Sequence, residues 1–293
     1  MYQLINSMEN FILNARAKIN LNLNVLPQRR RHGYYQVRFI NTQVALSDRL
    51  IVNSSDTPGI RLNNHIVDFE ENLACRAARI LMERYSLGGG ITLRIEKRIP
   101  LRAGLGGGSA DAAAVINGMA AHAGLKITPG EKNRIAQMLG MDVCYCVVGG
   151  LCTVSGIGEQ VERLPFSLPP LNLLIATPSE KKPSTGWAYS LLREDEMGKA
   201  LEGYERLLES IENRDLHGIA QNLHNDFELP IERRFPIIGK IKKTMAEEGA
   251  LGALLAGSGL SVFGIFSDKQ AMRRAMEKLQ KRGVQCFVTE TVP

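Results

Sequence analysis

Residues 100–111 read PLRAGLGGGSAD, with four glycines in the five positions from Gly104 to Gly108. A strand-like pattern precedes them and an Ala-rich helical pattern follows. Glycine lets a backbone approach a ligand closely and adopt φ > 0. A helix opening directly behind such a turn offers unpaired N–H groups and the positive end of its dipole. Together these make a cradle for an anion, and phosphate suits it best. Spacing excludes two common phosphate loops. No Lys-Ser/Thr pair follows the glycines, so this is not a Walker A loop. The expected helix starts at Ser109 with no acidic ribose partner in a βαβ setting, so it is not a dinucleotide fingerprint.

The flanking sequence switches repeatedly between strand and helix period. In ILNARAKINLNLNV (12–25), Ile19, Leu21, Leu23 and Val25 alternate with Asn20, Asn22 and Asn24. That pattern predicts a half-buried strand, with Lys18 turned to solvent as a lysine there ordinarily is. Residues 36–53 and Ile91–Ile95 read as strands, 71–86 as a helix stopped by Gly88-Gly89-Gly90, and 109–123 as a helix. A further helix spans 129–139, with Thr128 as N-cap, Pro129 in its first turn and Glu131 closing a capping box. Three prolines within 163–172 set a boundary near 160–170. Beyond it come a strand at Leu173–Thr177, three or four helices, and last strands near Ser261–Phe266 and Gln285–Thr289. At roughly 150 residues per domain, 293 residues make about two. The class is α+β, with domains at 1–165 and 166–293.

Composition narrows the function. A net charge of +6 suits anionic partners such as nucleotides without choosing among them. Basic residues are not interleaved with aromatics, so no nucleic-acid partner is expected, and Arg29-Arg30-Arg31-His32 reads as a solvated loop. No apolar run reaches the roughly 18 residues that cross a bilayer, so no membrane partner is expected. The first residues, broken by Asn and Glu, do not read as a secretory leader, which points to the cytoplasm. Cys75, Cys144, Cys146, Cys152 and Cys286 show no paired spacing and read as buried free thiols. His32, His65, His122, His217 and His224 have no metal-ligand spacing, so no protein metal site is predicted. A second glycine cluster lies at 252–263, and Asp142 sits in the otherwise apolar GMDVCYCVVGG (140–150), where a carboxylate needs a partner if buried. Bottom-up, a pairing with Lys18 is one of many. Trp187 is core or pocket wall, and Asn225 and Asp226 serve a helix end.

ARAKINLNLNVL (15–26), IPLRAGLGGGSADAAAV (99–115) and GALLAGSGLSVFGIF (252–266) resemble, in order, the three motifs of the GHMP small-molecule kinases. ENLACRAARILMERY (71–85), GMDVCYCVVGG (140–150) and GIGEQVERLP (156–165) add to the likeness, which spans nearly the whole chain. The resemblance implies an α+β two-domain GHMP kinase fold, with a ribosomal-S5-like α/β N-terminal domain and a ferredoxin-like C-terminal one. It implies ATP-dependent phosphorylation of an alcohol in non-mevalonate isoprenoid synthesis, or in a paralogue of a different alcohol, with ATP and Mg²⁺ as cofactors. The chain is taken as a monomer or weak homodimer.

Carried over by position, Asp142 is the catalytic carboxylate and Lys18 its partner. Pro100, Leu101, Arg102, Ala103, Gly104, Leu105, Gly106, Gly107, Gly108, Ser109 and Ala110 form the triphosphate loop, with Ser109 on the Mg²⁺ side. Asn20, Tyr34, Tyr35 and Tyr189 line the substrate pocket, Tyr34 and Tyr189 as a stacking pair around a cytosine ring. The chain departs from the family pattern in three places. Tyr35 stands where a base-reading His is usual, Asn41 where an aromatic or Met is common, and Ser258-Gly259-Leu260 where Ser-Gly-Pro is usual.

Overall fold

A computed structural model describes residues 3–4, 10–29, 33–63 and 68–292. In chain order the strands are β1 (Gln3–Leu4), β2 (Phe11–Arg29), β3 (Tyr35–Ser55), β4 (Gly59–Asn63), β5 (Leu87–Gly88), β6 (Gly90–Glu96), β7 (Cys152–Ser155), β8 (Gln160–Arg163), β9 (Asn172–Thr177), β10 (His224–Asn225), β11 (Gly252–Leu255), β12 (Val262–Phe266) and β13 (Gln285–Glu290). The helices are α1 (Leu73–Arg84), α2 (Gly107–His122), α3 (Pro129–Leu139), α4 (Met141–Val148), α5 (Thr185–Ser190), α6 (Leu201–Glu212), α7 (Leu216–Gln221), α8 (Glu228–Arg234), α9 (Ile237–Glu247) and α10 (Lys269–Gln280).

The chain forms two compact units that interleave along the sequence. The first holds residues 1–17, 47–101 and 106–148, and the second 18–46, 102–105 and 149–293. Strands β2 and β3 each run from one unit into the other, and the glycine loop is divided between them.

In the first unit, β3 pairs antiparallel with β6 through Arg49–Ser55, and β6 pairs parallel with β4. Helices α1, α2, α3 and α4 pack on one another. Asn72 caps α1 by accepting from the Ala74 and Cys75 amides, and Thr128 caps α3 by accepting from Glu131. The Glu131 carboxylate itself reaches Arg84 at 3.1 Å. Gly118 gives α2 its seat on β2, since a Cβ there would lie 2.4 Å from Leu13 Cδ2.

In the second unit, β10 pairs parallel with β2, β3 pairs with β7, and β7 with β8. A separate antiparallel sheet has the order β11-β12-β9-β13. Numbered within that sheet by chain position this is 2-3-1-4, the ferredoxin-like arrangement, and α9 and α10 pack against it.

Most expected elements are present, with informative differences. Strand β2 is not half-buried: Asn20, Asn22 and Asn24 are as hidden as the apolar face, and Lys18 is only 4% exposed. Amide side chains satisfy one another in part, Asn24 donating to Asn22 and Asn20 to Asn41, while Asn22 Nδ2 and Asn24 Oδ1 meet no partner among the described residues. Gly88 and Gly90 lie in β5 and β6 rather than in a loop, and α2 begins at Gly107 rather than Ser109. The apolar stretch after Gly140 is α4. Six helices, not three or four, follow β9, because the short amphipathic segments α5, α7 and α8 carry little periodicity of their own.

Cys75, Cys144, Cys146 and Cys152 are buried and Cys286 is half-buried, none of them in a disulfide among the described residues. Burial pushes the Cys75, Cys152 and Cys286 thiols up to about 11, which makes them poor nucleophiles. His32, His65, Arg30 and Arg31 lie outside the described residues. Among the described residues no helix is long and apolar enough to cross a membrane.

Candidate active site

Alternate residues of a strand share a face, and on β2 that places Lys18 beside Asn20. The Lys18 ammonium donates to Asn20 Oδ1 at 2.8 Å, and Asn20 Nδ2 donates in turn to Asn41 Oδ1 on β3 at 2.6 Å. The Lys18 backbone N–H donates to the Leu105 carbonyl of the glycine loop at 3.0 Å. Asn41, which the resemblance marks only as a departure, thus orients the amide that holds the lysine. Two asparagines on neighbouring buried strands are the sequence signal that pointed there.

The two glycine clusters meet backbone to backbone within the second unit. Gly104 has φ +88°, and a Cβ on it would sit 1.9 Å from the Ala256 carbonyl oxygen. A Cβ on Gly259 would sit 2.1 Å from the Ala103 carbonyl. The Ser261 N–H donates to the Ala103 carbonyl at 3.2 Å. Gly257 closes against the lysine, the place of its missing Cβ being 3.4 Å from Lys18 Nζ and 3.3 Å from Asn20 Oδ1. Asn225 holds this second loop by donating to the Leu255 and Gly257 carbonyls at 2.8 and 2.7 Å. It also accepts from the Phe227 amide, so it serves more than the helix end expected of it. Asp226 accepts from the Val25 and Gly198 amides and from His224.

Tyr35, not Tyr34, faces Tyr189. Their rings are 6.1 Å apart and within 7° of parallel, and Tyr189 is also edge-on to Phe227. Tyr34 precedes β3 and is 60% exposed. Tyr35 opens the strand, and successive strand residues point to opposite sides. Trp187 is half-buried with its edge toward Phe235.

In the first unit, Pro100 and Leu101 lead into the loop, and Gly106 to Ala110 lead out of it into α2. Gly106 is the N-cap, left-handed at φ 69°, and no side chain caps the helix. The leading N–H groups of this 16-residue helix have no side-chain cap from Gly106. Ser109 lies half-buried in its first turn, and Asp142 is exposed in the first turn of α4.

Beside the start of α2 lies a buried ionic triad that sequence reading missed. Lys97 donates to Asp48 and, at 2.8 Å, to Asp111 on α2. Asp48 Oδ1 also accepts from the Arg98 and Ile99 amides at 2.6 and 2.8 Å. The triad ties residues just before the loop to residues just after it. Burial pushes the Asp111 carboxyl up to about 7, aided by the Asp48 charge and opposed by Lys97. Burial pulls Lys97 down, but the two carboxylates outweigh it and the net displacement is upward. Asp111 Oδ1 has no hydrogen-bond partner among the described residues. A single acid such as Asp48 in a strand pattern carries no spacing that would reveal such a cluster.

A lysine seated among amides beside two interlocked glycine loops is an arrangement suited to a phosphate-handling protein. The family of GHMP kinases N terminal domains matches residues 72–150, and that of GHMP kinases C terminal domains matches residues 207–285. The chain belongs to the GHMP kinases, and as such is an ATP-dependent small-molecule kinase. It is 37% identical to the 4-diphosphocytidyl-2-C-methyl-D-erythritol kinase of Acetivibrio thermocellus over 97% of this chain and 100% of that protein. The kinase of the same name from a Synechococcus strain is also 37% identical, over 98% and 95%. A crystal structure of 4-(cytidine 5'-diphospho)-2C-methyl-D-erythritol kinase superposes with a TM-score of 0.83 at 31% identity, covering 97% of this chain and all of that one. Homoserine kinase from Cytophaga hutchinsonii shares the fold, with a TM-score of 0.77 at 20% identity.

The donor set fits ATP, whose phosphates suit the free N–H groups of α2. It also fits Mg²⁺, a hard cation that binds through one or two protein oxygens plus phosphates and keeps several waters. Ser109, in the first turn of α2, carries such an oxygen, while no group of three or more His, Cys, Asp or Glu gathers among the described residues.

Proposed function

We propose that this chain transfers the γ-phosphoryl group of ATP to the free hydroxyl of 4-diphosphocytidyl-2-C-methyl-D-erythritol, a step of non-mevalonate isoprenoid precursor synthesis. Full-length similarity to kinases of that name supports it. The single observation that carries the chemistry is Lys18, whose ammonium is almost fully buried, held by Asn20 and flanked by Gly257.

Phosphoryl transfer asks mainly for positioning and charge stabilisation. Residues Pro100 to Ala110 hold the triphosphate, with the leading N–H groups of α2 on its oxygens. Asp142 takes the proton of the attacking hydroxyl, and Lys18 offsets charge on the group in transfer. The Ser109 hydroxyl would hold Mg²⁺ beside the triphosphate, and the ion would supply neutralisation of phosphate charge. Asn20 and Asn41 keep Lys18 aimed, and Tyr34, Tyr35 and Tyr189 receive the base. Domains 1–165 and 166–293 supply these groups. The enzyme works in the cytoplasm as a monomer or weak homodimer, with no nucleic-acid or membrane partner.

The test is ATP consumption with product mass, using the cytidine substrate and its uridine analogue. Gain of one phosphoryl group by the cytidine compound alone supports the reading. ATP binding without turnover of either compound sinks it in favour of another alcohol. Asp142→Asn is expected to lower kcat by about 10²–10⁴-fold while leaving ATP affinity intact. Wild-type turnover in that variant would remove Asp142 as the base.

A further inference from the structure

Residues 224–228, HNDFE, have no part in that scheme, yet four pieces of the second unit meet on them. His224 and Asn225 pair with Asn22 and Leu23 of β2, the strand that carries Lys18. Asp226 extends that seam, donating its amide to the Leu23 carbonyl at 3.1 Å and accepting from the Val25 amide at 2.7 Å. Glu228 accepts from the Leu255 amide at the end of β11 at 2.8 Å, and Lys242 donates to the same carboxylate. Phe227 stands edge-on to Tyr189, with ring centres 4.9 Å apart.

Asn225, only 4% exposed, is the centre of this arrangement. Its Oδ1 accepts from the Phe227 amide at 2.9 Å, a turn closed by an Asn side chain on the residue two positions on. Such a turn needs an acceptor and nothing more. The two N–H groups of Nδ2 do a different task, donating to the Leu255 and Gly257 carbonyls. Gly257 in turn borders the ammonium, the place of its missing Cβ being 3.4 Å from Lys18 Nζ. Lys18 is thus bounded by Asn20 on its own strand and by a backbone whose position Asn225 sets. A primary amide supplies two donors and an acceptor in one short, uncharged group. It can hold two carbonyls beside an ammonium without adding a charge there.

We propose that Asn225 is a positioning residue for phosphoryl transfer, fixing the Gly257 backbone against Lys18 so that the ammonium is correctly placed for the group in transfer. The inference rests on the role of Lys18 proposed above. Transfer is sensitive to such placement, since a displacement of about 1 Å can cost about 10²-fold in rate.

The experiment is steady-state kinetics of the full chain with ATP and 4-diphosphocytidyl-2-C-methyl-D-erythritol, in a double-mutant cycle of Asn225→Asp with Lys18→Met. A carboxylate keeps the size of Asn225 and the acceptor for Phe227 but has no donors for the two carbonyls. Asn225→Asp is expected to lower kcat by about 10- to 100-fold with KM for both substrates unchanged. In the Lys18→Met background the same change should move kcat by less than about twofold, because a residue that acts through another has nothing left to act on. Equal fold losses in the two backgrounds, or a risen KM with kcat intact, would mark a merely structural role and overturn the inference. Wild-type kinetics in Asn225→Asp overturn it as well. Asn225→Ser, which brings no charge to pair with Lys18, must show the same coupling, and it decides alone if Asn225→Asp fails to fold. Wild-type turnover in Lys18→Met overturns the reading of Lys18 and this inference with it. A crippled Lys18→Met without coupling overturns the inference alone.

Discussion

Lys97 and Lys18 are both hidden from water, but their surroundings differ in kind. Lys97, in the first unit, stands between the carboxylates of Asp48 and Asp111. Lys18, in the second, donates to the neutral amide of Asn20 and makes no ion pair among the described residues. A lysine flanked by two carboxylates has its charge more than answered by the protein and works as a strap. A lysine held by an amide meets no opposing charge from that partner. Partner chemistry, not burial, separates these two lysines.

The sharpest break of this contrast is Lys97→Met, which leaves two carboxylates facing each other without a cation. Removing one partner of a buried ion pair costs about 3–5 kcal/mol, readable by denaturant unfolding. A loss under 1 kcal/mol would show that the triad is no strap. Lys18→Met should do the reverse, lowering kcat by about 10²–10³-fold, as loss of one transition-state charge contact does. Its unfolding midpoint should stay near wild type, and a large drop there would make Lys18 structural. Gly259→Ala tests the contact of the two glycine loops beside Lys18. Its Cβ would press on the Ala103 carbonyl, and overpacking of this kind costs about 1–3 kcal/mol. ATP affinity and stability should fall together, and a neutral variant would show that the loops part freely.

The smallest effect concerns pH. The Asp111 carboxyl, ordinarily near 3.8, is raised to about 7 in the fold. The folded chain therefore binds this proton more tightly than the unfolded one. The resulting stabilisation is fully present below about pH 3.8 and is lost as pH rises through about 7. Asp111→Asn should flatten that part of the profile of melting temperature against pH. An unchanged profile would assign the proton elsewhere.

Much of this was readable beforehand, for identifiable reasons. The glycine loop, α1, α3, β9 and the last two strands are announced by local signals such as glycine density, caps, periodicity and β-branched runs. Lys18, Asn20 and the loop residues were named from motifs in the order they occur. Missed were the burial of the asparagine face of β2, the supporting role of Asn41, the anchoring by Asn225, and Asp48. Each depends on a partner distant in sequence: Asn20 on Asn41, Asn225 on Gly257, Asp48 on Lys97. Tyr35 in place of Tyr34 against Tyr189 turned on strand phase at a single residue.

The amino-acid order alone carried the α+β class, the glycine loop and the kinase family, because backbone propensity and short motifs act over a few residues. Which lysine meets carboxylates and which meets an amide was settled only by folding. Hydrogen bonds and dielectric act through space, and no local pattern records whether an ammonium will meet an amide or a carboxylate.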